Sequence, residues 1–246
     1  MIEYEITLNC NFRCGYCTNG RNTVVGAPIY EGPLGKIIDN LSKHDEVYIY
    51  GGEPLMSKNI KDVVRYLRDN SKAYVIQTNF SITKSIEEIL EIDPLVKFQV
   101  SIHRTQKQHA ISIDNVLRFS KNIERCDIMF TSHQDLALYY KLSPIIPRLY
   151  LIPVADFATS KRDYLHSLVL YNKLRKILNN VRFDAGERSV IWEKQFAGIL
   201  SPKGKRCMCI GKYYQMDPSG NMHHCPQRYD GDICPFESCF NLDRRL

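Results

Sequence analysis

Short apolar runs alternate with helix-length amphipathic segments along most of this chain, and that alternation restricts its fold more than any other feature. Residues 4–8, 46–50, 73–78, 96–102, 127–131 and 149–154 read as strands. Between them, residues 33–42 set Leu34, Ile37, Ile38 and Leu41 on one helical face, and residues 59–69 do the same with Ile60, Val63, Val64 and Leu67, with Asn59 as the predicted N-cap. Residues 84–90, 112–121 and 160–178 are further predicted helices. Strand–helix alternation favours a parallel sheet with helices outside it. Six such units fall short of a full eight-unit barrel, so the expected fold is α/β, a partial (β/α)6 TIM-like barrel whose ligands sit at the C-terminal ends of the strands.

The pattern changes near residue 186. Residues 190–198 are a predicted last helix, and beyond them Cys, Gly, Pro and Asp replace the apolar runs. Residues 213–216 and 222–224 flank Asp217-Pro218-Ser219-Gly220-Asn221, a turn signal that predicts a hairpin. The expected division is a barrel over residues 1–186 and a small C-terminal cysteine-rich cluster-binding domain over 187–246, where metal supplies what core burial cannot. No apolar run approaches the roughly 20 residues of a membrane helix, and the N-terminus lacks a basic start and an apolar signal region. A cytoplasmic protein with no membrane partner is expected.

The chain has nine cysteines, which is many for such a protein. Disulfides are disfavoured in the cytosol, so closely spaced cysteines point to metal. They fall in two groups, Cys10, Cys14 and Cys17 at one end and five after residue 206, with Cys126 between them as a predicted core residue. The first group follows the first strand as C-x3-C-x2-C. Three thiolates from one loop can hold three irons of a four-iron, four-sulfur cluster and leave the fourth iron open; a zinc site, or an electron-transfer cluster completed from elsewhere, are the alternatives. The second strand ends in Gly51-Gly52-Glu53-Pro54. Glycines there let the backbone approach a ligand closely, and Glu53 offers a carboxylate to an ammonium group; a tight turn with an exposed Glu is the alternative.

Together these residues resemble the radical S-adenosylmethionine (radical SAM) superfamily, over about residues 4–154. The resemblance implies that Cys10, Cys14 and Cys17 bind a 4Fe–4S cluster whose open iron chelates S-adenosylmethionine. It implies that Gly51, Gly52, Glu53 and Pro54 meet the methionine amino group, that Tyr16 presents its backbone to the adenine, and that Thr78, Asn79 and Ser101 line the same cofactor site. His103 and Arg104, standing where many relatives carry Asp-Gly, are the candidate catalytic residues; no glycine-isoleucine-glycine motif is found on strand five. The chemistry implied is reductive cleavage of S-adenosylmethionine to a 5′-deoxyadenosyl radical that abstracts hydrogen from a C–H bond, with the electron supplied by a reductant such as flavodoxin or ferredoxin.

The tail resembles the SPASM/twitch auxiliary domains of that superfamily. Its cysteine count suits the shorter form with a second 4Fe–4S cluster, held by Cys209, Cys225, Cys234 and Cys239, with Cys207 as spare or as substitute for Cys209. Zinc is the alternative occupant, with His223 or His224 available to it. Auxiliary-cluster relatives often act on ribosomal peptides, so an amino-acid-like group on a peptide is the first expected substrate. Against it, the chain opens on its first strand, which predicts no leader-binding domain. The alternative is an aminoacyl-type group on a nucleobase of DNA or RNA, which the formal charge of +6 mildly favours. A zinc-dependent nucleic-acid-binding protein without catalysis is a third reading, opposed by Gly51-Gly52-Glu53-Pro54.

Overall fold

A computed structural model describes residues 1–14, 17, 31–104, 106–130, 135–153 and 214–224. The elements follow in the order β1 (Ile2–Thr7), α1 (Leu34–Leu41), β2 (Glu46–Gly51), α2 (Ile60–Asp69), β3 (Ala73–Thr78), α3 (Thr83–Ile92), β4 (Lys97–His103), α4 (His109–Arg118), β5 (Ile123–Phe130), α5 (Asp135–Leu142), β6 (Leu149–Pro153), β7 (Gln215–Met216) and β8 (Met222–His223). The strands form one sheet in the order β6-β5-β4-β3-β2-β1-β7-β8. β1 to β6 are parallel throughout.

That monotonic order decides the architecture. Each crossover steps in the same direction, and right-handed crossovers that all step the same way lay their helices on one face of the sheet. The strands alternate accordingly. Ile2, Tyr4, Ile6, Val47, Ile49, Ile76, Phe98, Val100, Ile102, Cys126, Ile128 and Leu151 share one buried core with Ile37, Leu41, Val63, Val64, Leu67, Ile86, Ile89 and Val116 of the helices. The residues between them in sequence are largely polar: Glu3, Glu5, Tyr48, Tyr50, Gln77, Gln99, Ser101, Arg125, Asp127 and Tyr150. A parallel sheet with helices on one face and polar side chains on the other is a partial TIM-like barrel, with the polar face as its interior. The expected fold class is the observed one.

Several elements differ from expectation. β5 starts at Ile123, four residues before the predicted strand. Arg125 lies in the sheet, bound to Asp127 Oδ1 at 2.7 Å and stacked 4.5 Å from the Tyr150 ring. α4 begins at His109 rather than at residue 112 and stops at Arg118, where Phe119 N–H donates to Asn115 O. α5 was not foreseen, because its apolar residues run almost continuously from Leu136 to Tyr140 and give it little one-sided pattern. Asn59 precedes α2, but its side chain makes no cap; Glu31 Oε2 and Ser57 Oγ accept from its backbone N–H instead, at 3.3 and 3.1 Å. Cys126 is fully buried in the core, as expected.

The predicted hairpin is present as β7 and β8, and β7 pairs in parallel with β1, which extends the sheet beyond the barrel strands. Asp217 builds its turn. Oδ1 accepts from Ser219 N at 2.9 Å and Asn221 N at 2.8 Å, and Oδ2 lies 3.3 Å from His223 Nε2. Burial raises the carboxyl's pKa, but the bonds from Asn221 and His223 outweigh it and hold the group below its usual range. Its stabilisation is therefore present above the usual aspartate pKa and is lost as pH falls through the depressed value. Asp217→Ala is expected to cost about 2 kcal/mol and to speed amide exchange in residues 215–223, as measured by denaturant unfolding and hydrogen exchange.

The helix 160–178, the helix 190–198, the 186/187 boundary, Tyr16, Cys207, Cys209, Cys225, Cys234 and Cys239 lie outside the described residues. Among the described residues, no helix is long and apolar enough to cross a membrane.

Candidate active site

The loop after β1 runs across the C-terminal ends of the neighbouring strands. It carries Cys10 and Cys14, both partly exposed, and Cys17, exposed; none is in a disulfide. Cys17 N–H donates to Cys14 O at 3.1 Å, so the last two cysteines close a tight turn. Phe12 N–H points at Cys10 Sγ at 3.4 Å. Burial pushes the Cys10 thiol up to about 11; hydrogen bonds from Phe12 and Asn79 oppose this, and the neighbouring Glu53 and Cys17 add to it. An iron cluster would reverse that balance, since a bound cation favours the thiolate.

Gly51 and Gly52 serve this loop directly. Gly52 N–H donates to Thr7 O and Glu53 N–H to Asn9 O, each at 2.7 Å, which carries the β1–β2 ladder past the strand ends and into the cysteine loop. Gly51 holds φ +147°, and a Cβ there would lie 2.3 Å from Thr7 O; a Cβ on Gly52 would lie 2.3 Å from Asn9 O. These glycines permit close approach of the chain's own Thr7–Asn9 backbone.

Glu53 is fully buried rather than an exposed turn residue. Its Oε1 accepts from Thr78 Oγ1 at 2.6 Å and Leu55 N at 3.0 Å, and its Oε2 from Asn79 N at 2.7 Å. Burial raises its pKa to about 7 against the lowering effect of those three donors. One carboxylate thus joins the end of β2, the 3-10 turn at Pro54–Met56 and the end of β3. Pro54 is buried at the start of that turn. Thr78 and Asn79 are buried, and Thr78 Oγ1 also accepts from Phe80 N at 2.9 Å.

Ser101 and His103 stand on β4, in register with Asp127 and Met129 of β5. The His103 ring meets Phe12 of the cysteine loop edge-on, with centroids 5.9 Å apart. Loss of water around it pushes its pKa down to about 4, so the imidazole is neutral at physiological pH. Arg104 follows it at the mouth of β4. On the interior face, Tyr48 Oη donates at 2.7 Å to Gln77 Oε1 and lies 3.0 Å from Gln99 Oε1, and Gln99 Nε2 lies 3.4 Å from Asp127 Oδ2. With Arg125 and Tyr150 this is a polar row from β2 to β6. The sequence reading had not singled out these residues, although their alternation with apolar neighbours was the available signal.

Residues 4–127, half of the chain, match the family described as the Radical SAM superfamily. The chain belongs to that superfamily. Radical SAM proteins are enzymes, and the family implies S-adenosylmethionine and a 4Fe–4S cluster. The donor set fits the cluster, because Cys10, Cys14 and Cys17 bring three thiols from one loop to the C-terminal edge of the sheet.

Curated radical SAM relatives include the AdoMet-dependent heme synthase of Methanosarcina barkeri, 30% identical over 113 residues, which are 42% of this chain and 30% of that protein. A probable GTP 3′,8-cyclase of Methanococcus maripaludis is 26% identical over 131 residues, 50% of this chain and 44% of that one. The chain therefore spans less than half the length of these relatives. Among solved structures, Streptococcus suis SuiB bound to S-adenosylmethionine superposes with a TM-score of 0.64 at 14% identity, covering 92% of this chain and 60% of SuiB. SuiB bound to its precursor peptide SuiA gives 0.63 at 13% identity, covering 94% and 61%. These likenesses show the fold.

Proposed function

We propose that this radical SAM enzyme cleaves S-adenosylmethionine reductively and abstracts hydrogen from a C–H bond of an amino-acid-like group on a peptide. The observation that carries the reading is the cysteine loop itself, which brings three thiols to the strand ends beside the polar face of the sheet. The likeness in fold to SuiB, seen with its precursor peptide SuiA, supports a peptide as substrate.

In this reading Cys10, Cys14 and Cys17 hold the first cluster. When bound, the cluster and S-adenosylmethionine supply a one-electron cleavage and a carbon-centred radical. The chain positions the reactants and keeps water out. The Gly51–Pro54 backbone presents its polar groups to the methionine end, and Glu53 braces that segment from beneath through Thr78, Asn79 and Leu55. Tyr16 would present its backbone to the adenine. Thr78, Asn79 and Ser101 line the cofactor site, the polar row from Tyr48 to Arg125 receives the substrate, and a neutral His103 with Arg104 borders it at the mouth of β4. Cys209, Cys225, Cys234 and Cys239 would hold a second 4Fe–4S cluster, which would supply electron transfer, and a flavodoxin or ferredoxin would be the reductant partner.

The test is anaerobic reconstitution followed by reaction with S-adenosylmethionine and a chemical reductant. About eight irons per chain are expected for two four-iron clusters. Formation of 5′-deoxyadenosine is expected to rise when candidate peptides are added and to be indifferent to DNA. Stimulation by DNA, with affinity falling steeply across a salt series, would replace the peptide with a nucleic-acid substrate. A colourless protein with stoichiometric zinc and no iron would overturn the reading altogether.

A further inference from the structure

The three residues between Cys10 and Cys14 are held by four residues at or just beyond the ends of β3 and β4. Asn11 enters a closed ring of side chains: Asn79 Nδ2 donates to Asn11 Oδ1 at 2.8 Å, Asn11 Nδ2 to Ser81 Oγ at 2.8 Å, and Ser81 Oγ to Asn79 Oδ1 at 2.6 Å. Phe12 is 4% exposed and rests edge-on against His103. Arg13 is held through its backbone. Its N–H donates to Gln106 Oε1 at 3.0 Å and its carbonyl accepts from Gln106 Nε2 at 3.2 Å. A carboxamide has the donor and acceptor of a peptide group, so Gln106 pairs with Arg13 as a neighbouring strand would.

The turn that presents Asn79 and Ser81 is itself strained. Phe80, between them, holds φ 59°, in the left-handed region that a bulky residue avoids at a cost of about 1 kcal/mol or more. Its ring is fully buried, 5.1 Å from Phe98 and 6.2 Å from Phe119, and that packing holds the turn in place. Asn79 is tied at its other end too, since its backbone N–H bonds to Glu53.

We propose that Asn11, Asn79, Ser81 and Gln106 are positioning residues of the first cluster, which fix the Cys10–Cys14 segment in its ligand geometry before iron binds. This rests on the reading of Cys10, Cys14 and Cys17 as cluster ligands. Ordering a residue costs about 1–2 kcal/mol, and a loop ordered during folding does not incur that cost again when iron binds. Partners that orient metal ligands typically change metal affinity by roughly 10- to 100-fold.

The experiment compares Asn11→Ala, Gln106→Ala and Asn122→Ala in the full chain, reconstituted anaerobically, by the rate of iron loss to a chelator and by amide exchange of Phe12 and Arg13 in the iron-free protein. Asn122 is the control: it bonds Pro94 O and Val96 O ahead of β4, at the opposite end of the strand. Asn11→Ala and Gln106→Ala are expected to lose iron about tenfold faster and to exchange those amides faster, with Asn122→Ala matching the parent in both. Gln106→Glu keeps the acceptor for Arg13 N–H and loses the donor, so it should fall between. Iron retention and exchange like the parent in Asn11→Ala and Gln106→Ala would overturn the proposal. Should Asn11→Ala fail to fold, Gln106→Ala decides it, because its bonds to Arg13 lie at the surface. A variant with Cys10, Cys14 and Cys17 all changed to Ala separates the two ideas. Parent-like iron in that variant sinks the ligand reading, whereas iron lost there but kept in Gln106→Ala sinks only the positioning role.

Discussion

Changing Cys10, Cys14 and Cys17 together to alanine is expected to bring 5′-deoxyadenosine formation down to the level of a protein-free control. Thiolates from one loop are the only means proposed for holding the first cluster, and without it no electron reaches S-adenosylmethionine. The fold should survive the change. Cys10 and Cys14 are partly exposed and Cys17 is exposed, so little buried volume is lost, and the loop keeps its ties through Asn11, Phe12 and Arg13. Circular dichroism and thermal unfolding of the iron-free forms check this. About half of the iron should remain, in the tail. Complete loss of iron would count against two separate clusters, and unchanged product formation would reject the three ligands.

Glu53→Ala is expected to destabilise the protein by about 3 kcal/mol or more, through donors rather than through lost volume. Thr78 Oγ1, Leu55 N and Asn79 N all donate to this carboxylate, and each would be left buried without its acceptor. Glu53→Gln keeps one acceptor and sets an amide N–H against a donor, so it should fall between the parent and Glu53→Ala. Both should weaken S-adenosylmethionine binding, Glu53→Gln by about tenfold or 1.4 kcal/mol, and an unchanged dissociation constant would reject the residue's place in that site. The pH dependence gives a second check. Burial raises the folded pKa from 4.5 to about 7, so between those values the folded state binds more protons than the unfolded chain. The contribution of protonated Glu53 is fully present below about 4.5 and is lost as pH rises through about 7. Stability of Glu53→Gln, measured against the parent across that window, should lack this decline.

Much of this was legible in the sequence, for local reasons. Six parallel strands were readable because each is a short apolar run bounded by turn residues, and α2 because Ile60, Val63, Val64 and Leu67 recur at the helical period. The C-x3-C-x2-C loop and Gly51-Gly52-Glu53-Pro54 were readable because each lies within a few residues of one strand end. What failed were readings in which a partner remote in sequence decides the outcome. The strand read from residue 127 begins at Ile123, where contacts to Asp127 and Tyr150 keep Arg125 in β5. Asn59 read as a cap, but its side-chain amide turns to Gly32 O at 3.4 Å.

The sequence by itself determined the class of sheet, the cysteine loop and its place after the first strand, because periodicity and spacing act over one element at a time. Only the tertiary structure decided what holds that loop. Asn11 meets Ser81 across 70 residues and Asn79 across 68, and Arg13 meets Gln106 across 93. Parallel strands bring residues so far apart into contact only after each crossover helix has closed, and nothing local to residues 10–14 specifies which side chains will be waiting there.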